Sequence, residues 1–384
     1  MTKPQVMIVA GEASGDLHGA NLIRALRRQI PSVEVSGMGG SELAQAGVTI
    51  LVDAAQLAVV GIIEVLSHLK EIRRAFRILT RHLTEARPDL LILVDYPDFN
   101  FLLARKAKRL GIPVLYYISP QIWAWRTGRV KKIKRLVDRM AVILPFEEEF
   151  YNRHGVKVDF VGHPLMDAVA TSIPRETYLR RHKVDPGRKV VGLLPGSRKK
   201  EIRMMLPIFL EAARIIAKQH PQTTFLLACA PTLEEKDLAA LGVDDSRLDL
   251  RVVFDQRYEM MHACDAAMAA SGTVTLELAI LGVPMAVAYK VSPVTFFLGR
   301  RLIKVEHAAL VNLVAGRRLV PELLQDDAEP EPLARVVTRF LEDQEEAARI
   351  REGLAEVRQR LGSPGASERA AHIAREMILG RVSE

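Results

Sequence analysis

The sequence predicts an α/β protein built from two doubly wound, Rossmann-like domains facing a cleft. Three observations lead there. Short, continuous apolar runs such as Val6–Ala10 and Val190–Leu194 recur along the 384 residues. Stretches of helical period separate them. The rhythm then restarts near Lys189, and the second half opens as the first does: buried strand, Gly/Ser loop, helix. Strands that are apolar on both faces belong to parallel sheets covered by helices on both sides. Ligands of such sheets bind at the carboxyl ends of the strands.

In the first half, Val6–Ala10, Asp89–Val94, Val114–Ile118 and Met140–Leu144 read as strands, with a helix from Leu17 to Gln29. In the second, Val190–Leu194, Phe225–Ala228, Arg251–Phe254, Ala266–Ala269 and Met285–Tyr289 read as strands, with a helix from about Lys199. The stretch Pro164–Pro186 is rich in Pro and marks the boundary. We therefore expect domains over 1–170 and 171–362, and a last helix within 363–384 that packs back on the first. Glu331–Leu361 reads as helical, Gly362–Gly365 as a break, and Ser367 as the N-cap of the last helix.

Hydrophobic residues make up 49% and charged residues 26%, the profile of a folded chain of about two domains. Cys229 and Cys264 lie in apolar surroundings with no zinc or CxxC spacing, and read as buried thiols. No apolar run is long enough to span a bilayer, so membrane contact is expected to be peripheral.

Four loops could carry chemistry. Gly11–Gly19 follows the first strand, but its glycines are four apart, which is not the dinucleotide fingerprint. Within it Glu12 and His18 are candidates to share proton chemistry. Asp95 ends an apolar strand, where partial desolvation raises a carboxyl pKa and suits a general base; Asp98 reads as structural. Pro195-Gly196-Ser197-Arg198 permits close approach of a phosphate and a bidentate grip by Arg198. Ser271-Gly272-Thr273 opens a helix that can present N–H groups to a diphosphate, and Glu277 can accept both hydroxyls of a ribose.

The formal charge is +8, and eleven Lys or Arg residues against one acid lie between Arg105 and Arg139. Such a field attracts phosphate-rich partners. Trp123 and Trp125 sit inside this segment, where they can anchor at a membrane interface or stack nucleobases. An apolar stripe runs from Ile62 through Val65, Leu66 and Leu69 to Leu83, with Arg73, Arg74, Arg77 and Arg81 opposite. It suits a membrane surface or core packing. A nucleic-acid module would leave both nucleotide-type loops idle, so no nucleic acid is expected as partner.

Taken together, AGEASGDLHGA (Ala10–Ala20), VDYPDFNF (Val94–Phe101), YYISPQIWAWR (Tyr116–Arg126), VGHPLMD (Val161–Asp167), LLPGSRKKEI (Leu193–Ile202) and ASGTVTLELAILGVPM (Ala270–Met285) resemble the lipid-A-disaccharide synthases over essentially the whole chain. The resemblance implies a GT-B glycosyltransferase fold and an inverting reaction that needs no metal or other cofactor. The donor would be UDP-2,3-diacylglucosamine and the acceptor 2,3-diacylglucosamine 1-phosphate (lipid X), giving a β-1′,6 disaccharide 1-phosphate and UDP. It places the acceptor on the first domain and the nucleotide on the second, at Arg198, Ser271, Gly272, Thr273, Glu277 and Asn312, with Gln325 as a further candidate. The base falls on Asp95. It implies peripheral association with the anionic cytoplasmic face of the inner membrane, and leaves a homodimer open. Another UDP-GlcNAc-dependent transferase of the same fold, acting on a lipid-linked acceptor, is the alternative.

Overall fold

The computed structural model describes residues 3–57, 69–125, 127–229, 241–243, 247–291 and 306–382. The chain divides into two compact units, Met1–Pro164 with Gly362–Glu384, and Leu165–Leu361. Each is a parallel sheet.

The sheet of unit 1 comprises β1 (Gln5–Ala10), β2 (Glu34–Gly39), β3 (Thr49–Asp53), β4 (Leu90–Val94), β5 (Val114–Tyr117), β6 (Arg139–Val142) and β7 (Asp159–Phe160), in the order β3-β2-β1-β4-β5-β6-β7. The order reverses between β1 and β4, which is where open α/β sheets place their ligands. Strand periodicity sorts the core into two layers. Met7, Val9, Leu91 and Leu93 face one side. Val6, Ile8, Ala10, Leu90, Ile92 and Val94 face the other. The first layer is covered by α3 (Leu69–Ala86), α4 (Pro97–Arg109), α5 (Val130–Leu136) and Tyr151 from α6 (Pro145–Arg153). The second is covered by α1 (Ala13–Gln29), with α2 (Ser41–Gln45) behind β2.

Unit 2 repeats the plan with β8 (Val190–Leu194), β9 (Thr224–Ala228), β10 (Leu250–Val253), β11 (Ala266–Ala270), β12 (Met285–Tyr289) and β13 (Glu322–Leu324). Its order is β10-β9-β8-β11-β12-β13, so the reversal falls between β8 and β11. Its helices include α7 (Arg175–Arg181), α8 (Lys199–Gln219), α9 (Arg257–His262), α10 (Val274–Ile280), α11 (Leu310–Ala315), α12 (Pro330–Glu342) and α13 (Gln344–Arg360). A final helix, α14 (Ala366–Val382), brings Ala370, Ala371, Ala374 and Ile378 onto α1 and the second layer of unit 1.

Several local expectations are corrected. Helix α1 begins at Ala13 rather than Leu17, because Glu12 in extended conformation already accepts the Asp16 amide at 2.8 Å. The stretch Glu331–Leu361 is two helices, divided at Asp343, whose side chain accepts from the Glu346 amide at 2.9 Å. Ser367 lies inside the first turn of α14 and is not its N-cap. The stripe after Leu69 is core: Leu79 and Leu83 are fully buried, and Ile72 and Phe76 pack against them. Leu69 itself is half-buried, and Ile62, Val65 and Leu66 lie outside the described residues. Among the described residues no helix is long and apolar enough to cross a membrane.

Asp16, within the first loop motif, holds the fold. Its buried carboxylate accepts the amides of Gly40 at 2.7 Å, Glu42 at 2.9 Å and Leu43 at 3.3 Å, tying α1 to the start of α2. Removing it strands three amides near the sheet. Asp16→Ala should lower unfolding stability by about 2–3 kcal/mol, seen as a lower urea midpoint; a change under ~0.5 kcal/mol would rule out this role.

Candidate active site

In unit 1, Asp95 follows β4 directly and takes the left-handed conformation with its neighbour Tyr96, at φ of 43° and 47°. Such backbone is unfavourable for residues other than Gly and persists only where the surroundings hold it. Here the Asp95 carbonyl accepts from Asn100 Nδ2 at 2.6 Å and from the buried Tyr116 hydroxyl at 2.5 Å. The Asn100 amide group also reaches the Val94 carbonyl at 3.3 Å. The Tyr96 ring lies directly over Gly11, where a Cβ would come within 2.4 Å of it. Only glycine at position 11 admits that ring.

Glu12 follows the neighbouring strand β1, close enough for its charge to act on Asp95. Burial pushes the Asp95 carboxyl up to about 6, and the Glu12 charge pushes the same way, against a hydrogen bond from the Tyr96 amide. Glu12 and Asp95 are thus brought together at the point where the strand order reverses. His18 lies one turn further along α1, beside buried His163, whose pKa is lowered to about 3 by burial and then by the His18 charge. Burial lowers His18 as well. The groups that act on Asp95 are Glu12 and Tyr96, and His18 is not among them.

Trp123 is turned inward. Its indole Nε1 donates to Glu147 Oε1 at 3.1 Å, and its ring meets Phe146 edge-on at 4.9 Å. Glu147 is fully buried, also accepts the Leu144 amide at 3.0 Å, and is pushed up to about 7 by burial. Trp123 is therefore a core residue and not an interfacial anchor. The side chain of Trp125 lies outside the described part.

In unit 2, a cavity of ≈ 490 Å³ opens at the carboxyl ends of β8, β9, β10 and β11, astride that sheet's reversal point. Arg198, Ser271, Gly272, Thr273 and Glu277 all line it. Nothing lies within 4 Å of the site of a Cβ on Gly272, so this face of the turn is open. Ser271 Oγ donates to the Ala308 carbonyl at 2.9 Å. Arg198 is set by Glu201, which accepts its Nη1 at 3.2 Å and its amide at 3.4 Å. The Tyr289 hydroxyl of β12 donates to the same Glu201 at 3.3 Å. Glu201 is the third residue of α8, from where its side chain reaches back to the N-cap amide of Arg198. Glu277 is buried, and its carboxyl is raised by burial against the Arg257 charge and a Tyr258 hydrogen bond.

Two expected nucleotide residues are not in this cavity. Asn312 is fully buried and satisfied: its Nδ2 donates to Glu322 Oε1 at 2.7 Å and the Val320 carbonyl at 2.9 Å, and its Oδ1 accepts the Leu319 and Val320 amides at 2.9 Å. It locks the turn between α11 and β13. Gln325, at φ 53°, pairs with the backbone of Val291 through Oε1 at 3.0 Å.

Among solved structures, a UDP-GlcNAc 2-epimerase from Neisseria meningitidis bound to UDP-GlcNAc has a TM-score of 0.62 at 14% identity, covering 98% of this chain and 100% of that one. The calicheamicin glycosyltransferase CalG4 has a TM-score of 0.66 at 17% identity, covering 100% of each chain. The two sheets and their reversal points place the protein in the GT-B class. The lipid-A-disaccharide synthetase family model matches residues 6–377. The chain is 53% identical to the lipid-A-disaccharide synthase of Geobacter sulfurreducens over 377 residues, covering 98% of each. It is 49% identical to that of Nitrosococcus oceani over 384 residues, covering 99% of each. The chain belongs to the lipid-A-disaccharide synthase family, and is a glycosyltransferase of lipid A biosynthesis.

Two outcomes follow from this geometry. Asn312→Ala should cost about 2–4 kcal/mol of stability, because it leaves buried partners unsatisfied; a variant that melts normally and fails only in UDP binding would return Asn312 to the ligand. For Asp95 the folded pKa is raised from 3.8 to about 6. The carboxylate therefore costs stability above about pH 6, and the cost disappears below about pH 4. Asp95→Asn should accordingly be more stable at pH 8 by on the order of 2 kcal/mol, with no gain at pH 4, as read from paired chemical denaturation curves.

Proposed function

We propose that the chain condenses UDP-2,3-diacylglucosamine with 2,3-diacylglucosamine 1-phosphate, with Asp95 as the base and the unit 2 cavity as the seat of the UDP. The acceptor 6-hydroxyl attacks the anomeric carbon from the face opposite the leaving group. The new C–O bond forms as the donor's bond from the anomeric carbon to the diphosphate oxygen breaks, UDP departs, the hydroxyl proton passes to Asp95, and the product is β-linked. Inversion needs only this single displacement.

The observation that carries this reading is the pairing of Glu12 with Asp95 at the reversal point of the first sheet. A carboxylate that titrates near neutral pH can hold a proton briefly and give it up, which an ordinary surface Asp does poorly. Glu12 raises the proton affinity of Asp95 by its charge, without having to touch the acceptor itself. On the donor side, Arg198 supplies positive charge for the departing diphosphate, the open face at Gly272 allows the phosphates near the backbone, and Glu277 takes the ribose hydroxyls.

The lipid character of both substrates calls for contact with a membrane surface. Supporting it are the exposed cations of α4 and α5, among them Arg105, Lys131 and Lys132. We assign the peripheral, cytoplasmic-face association to this basic segment, each exposed cation adding about 1 kcal/mol on an anionic surface.

With radiolabelled acceptor and chromatography of the product, Asp95→Asn should lower turnover by roughly 10²–10⁴. Wild-type kcat/KM should fall on the acid side of about pH 6, where Asp95 takes up its proton. Near-normal turnover in the variant, or an acid limb that persists in it unchanged, would remove Asp95 from this role.

A further inference from the structure

The unit 2 cavity contains a charged contact that the scheme above leaves unused. Glu277 Oε1 accepts from Arg257 Nη2 at 2.7 Å. The Tyr258 hydroxyl lies beside this carboxylate and favours its charged form. Arg257 Nη2 donates in turn to the Tyr258 hydroxyl at 2.7 Å, and the guanidinium sits 4.7 Å from the centre of the Tyr258 ring. The arrangement is lopsided in exposure: the Arg257 side chain is 59% exposed and that of Glu277 only 7%. Gln256, in left-handed conformation at φ 49°, turns the chain so that α9 starts at Arg257.

We propose that Arg257 is a positioning residue for the nucleotide: its guanidinium holds Glu277 ionised and oriented, so that the buried carboxylate can accept both hydroxyls of the donor ribose. This rests on the assignment of the ribose to Glu277, and supplies what that assignment requires. A vicinal diol brings two donors, and needs a partner that only accepts. A carboxylate has roughly four lone-pair sites. Arg257 occupies one, which leaves enough for both hydroxyls of the diol. A protonated carboxyl would itself donate, and would lose that match.

Arg257 is also the group that opposes protonation here. Burial pushes the Glu277 carboxyl up, and Arg257, then Tyr258, pull it back. The other elements packed against α10 offer no substitute. Strands β11 and β12 present only apolar side chains at Ala266–Ala270 and Met285–Ala288. Helix α13 meets it with Ala347, Ile350, Leu354 and Val357. On α11, Asn312 is committed to Glu322 and its own turn. On α9, Glu259 is turned to Ser172, and His262 and, on the short helix Leu165–Ala168, Asp167 do not shift Glu277.

The test is UDP affinity by calorimetry between pH 6 and pH 8.5, for the full-length wild type and for R257Q, R257K and E277Q. The variant-to-wild-type ratio is taken at each pH, so that titration of the nucleotide cancels. R257Q should bind within about threefold of wild type at pH 8.5 and about tenfold more weakly at pH 6, one unit of pKa being a factor of ten. R257K, which keeps the charge, should remove most of that difference. With 2′,3′-dideoxy-UDP the R257Q ratio should not depend on pH. A ratio equally reduced at every pH would make Arg257 a direct ligand and overturn the proposal, and a ratio of one throughout would overturn it too. If instead E277Q binds UDP as tightly as wild type, the ribose assignment itself fails. Melting of each unliganded variant separates either outcome from misfolding.

Discussion

The carbonyl oxygen of Asp95 is the atom on which the turn after β4 depends. Two donors, Asn100 Nδ2 and the Tyr116 hydroxyl, converge on it, and so hold two consecutive residues in left-handed backbone. Without them the chain would leave β4 by an ordinary turn, and the Asp95 side chain would rotate toward water and lose its raised proton affinity. The strain is local, and its cost is met by groups that lie inside the core: Tyr116 is fully buried, as is Asn100. Burial of the pinning residues is what allows a partly solvated residue to be placed with precision.

Each unit carries an acid that burial raises, Asp95 directly after β4 and Glu277 in α10, but the two have different neighbours. Asp95 has another carboxylate for a neighbour, Glu12, so desolvation and repulsion act together. Glu277 has Arg257 and Tyr258, so desolvation is opposed. At Asp95 the neighbouring charge adds to the effect of burial, and at Glu277 it works against it. The difference lies in the neighbouring side chains, Glu12 at one site and Arg257 with Tyr258 at the other, and not in the sheet plan, which is shared.

Much of the fold was legible because the central strands announce themselves. Stretches such as Leu90–Val94 and Val190–Leu194 are wholly apolar, as strands buried on both faces must be. The strands that periodicity did not reveal are β2, with glycines at 37 and 39, and β3, β7 and β13, which are short or lie toward the sheet edges. Their sequences carry too little apolar signal to distinguish them from loops. At the site, Asp95 and the cavity residues were readable because they follow strands directly. Asn312 was assigned to the nucleotide by resemblance and Trp123 to an interface by its basic surroundings, but each finds a partner within its own unit, in Glu322 and Glu147. Such pairings join residues that only the folded chain brings together, ten and twenty-four positions apart. Asn100 was missed in the opposite sense, since nothing local shows that its amide supports the backbone of the residue five positions earlier.

The placement of α14 has a consequence for the order of synthesis. Residues 1–164 contain every strand of the first sheet, yet the face that Ala370, Ala371, Ala374 and Ile378 cover stays open until the last turn of the chain emerges. All of Leu165–Leu361 must be translated in between. A nascent chain therefore carries a greasy, half-roofed platform at the ribosome for half of its production, and a message truncated by a few dozen codons would yield a protein in which every strand of the first sheet is encoded but one face of it is never sealed.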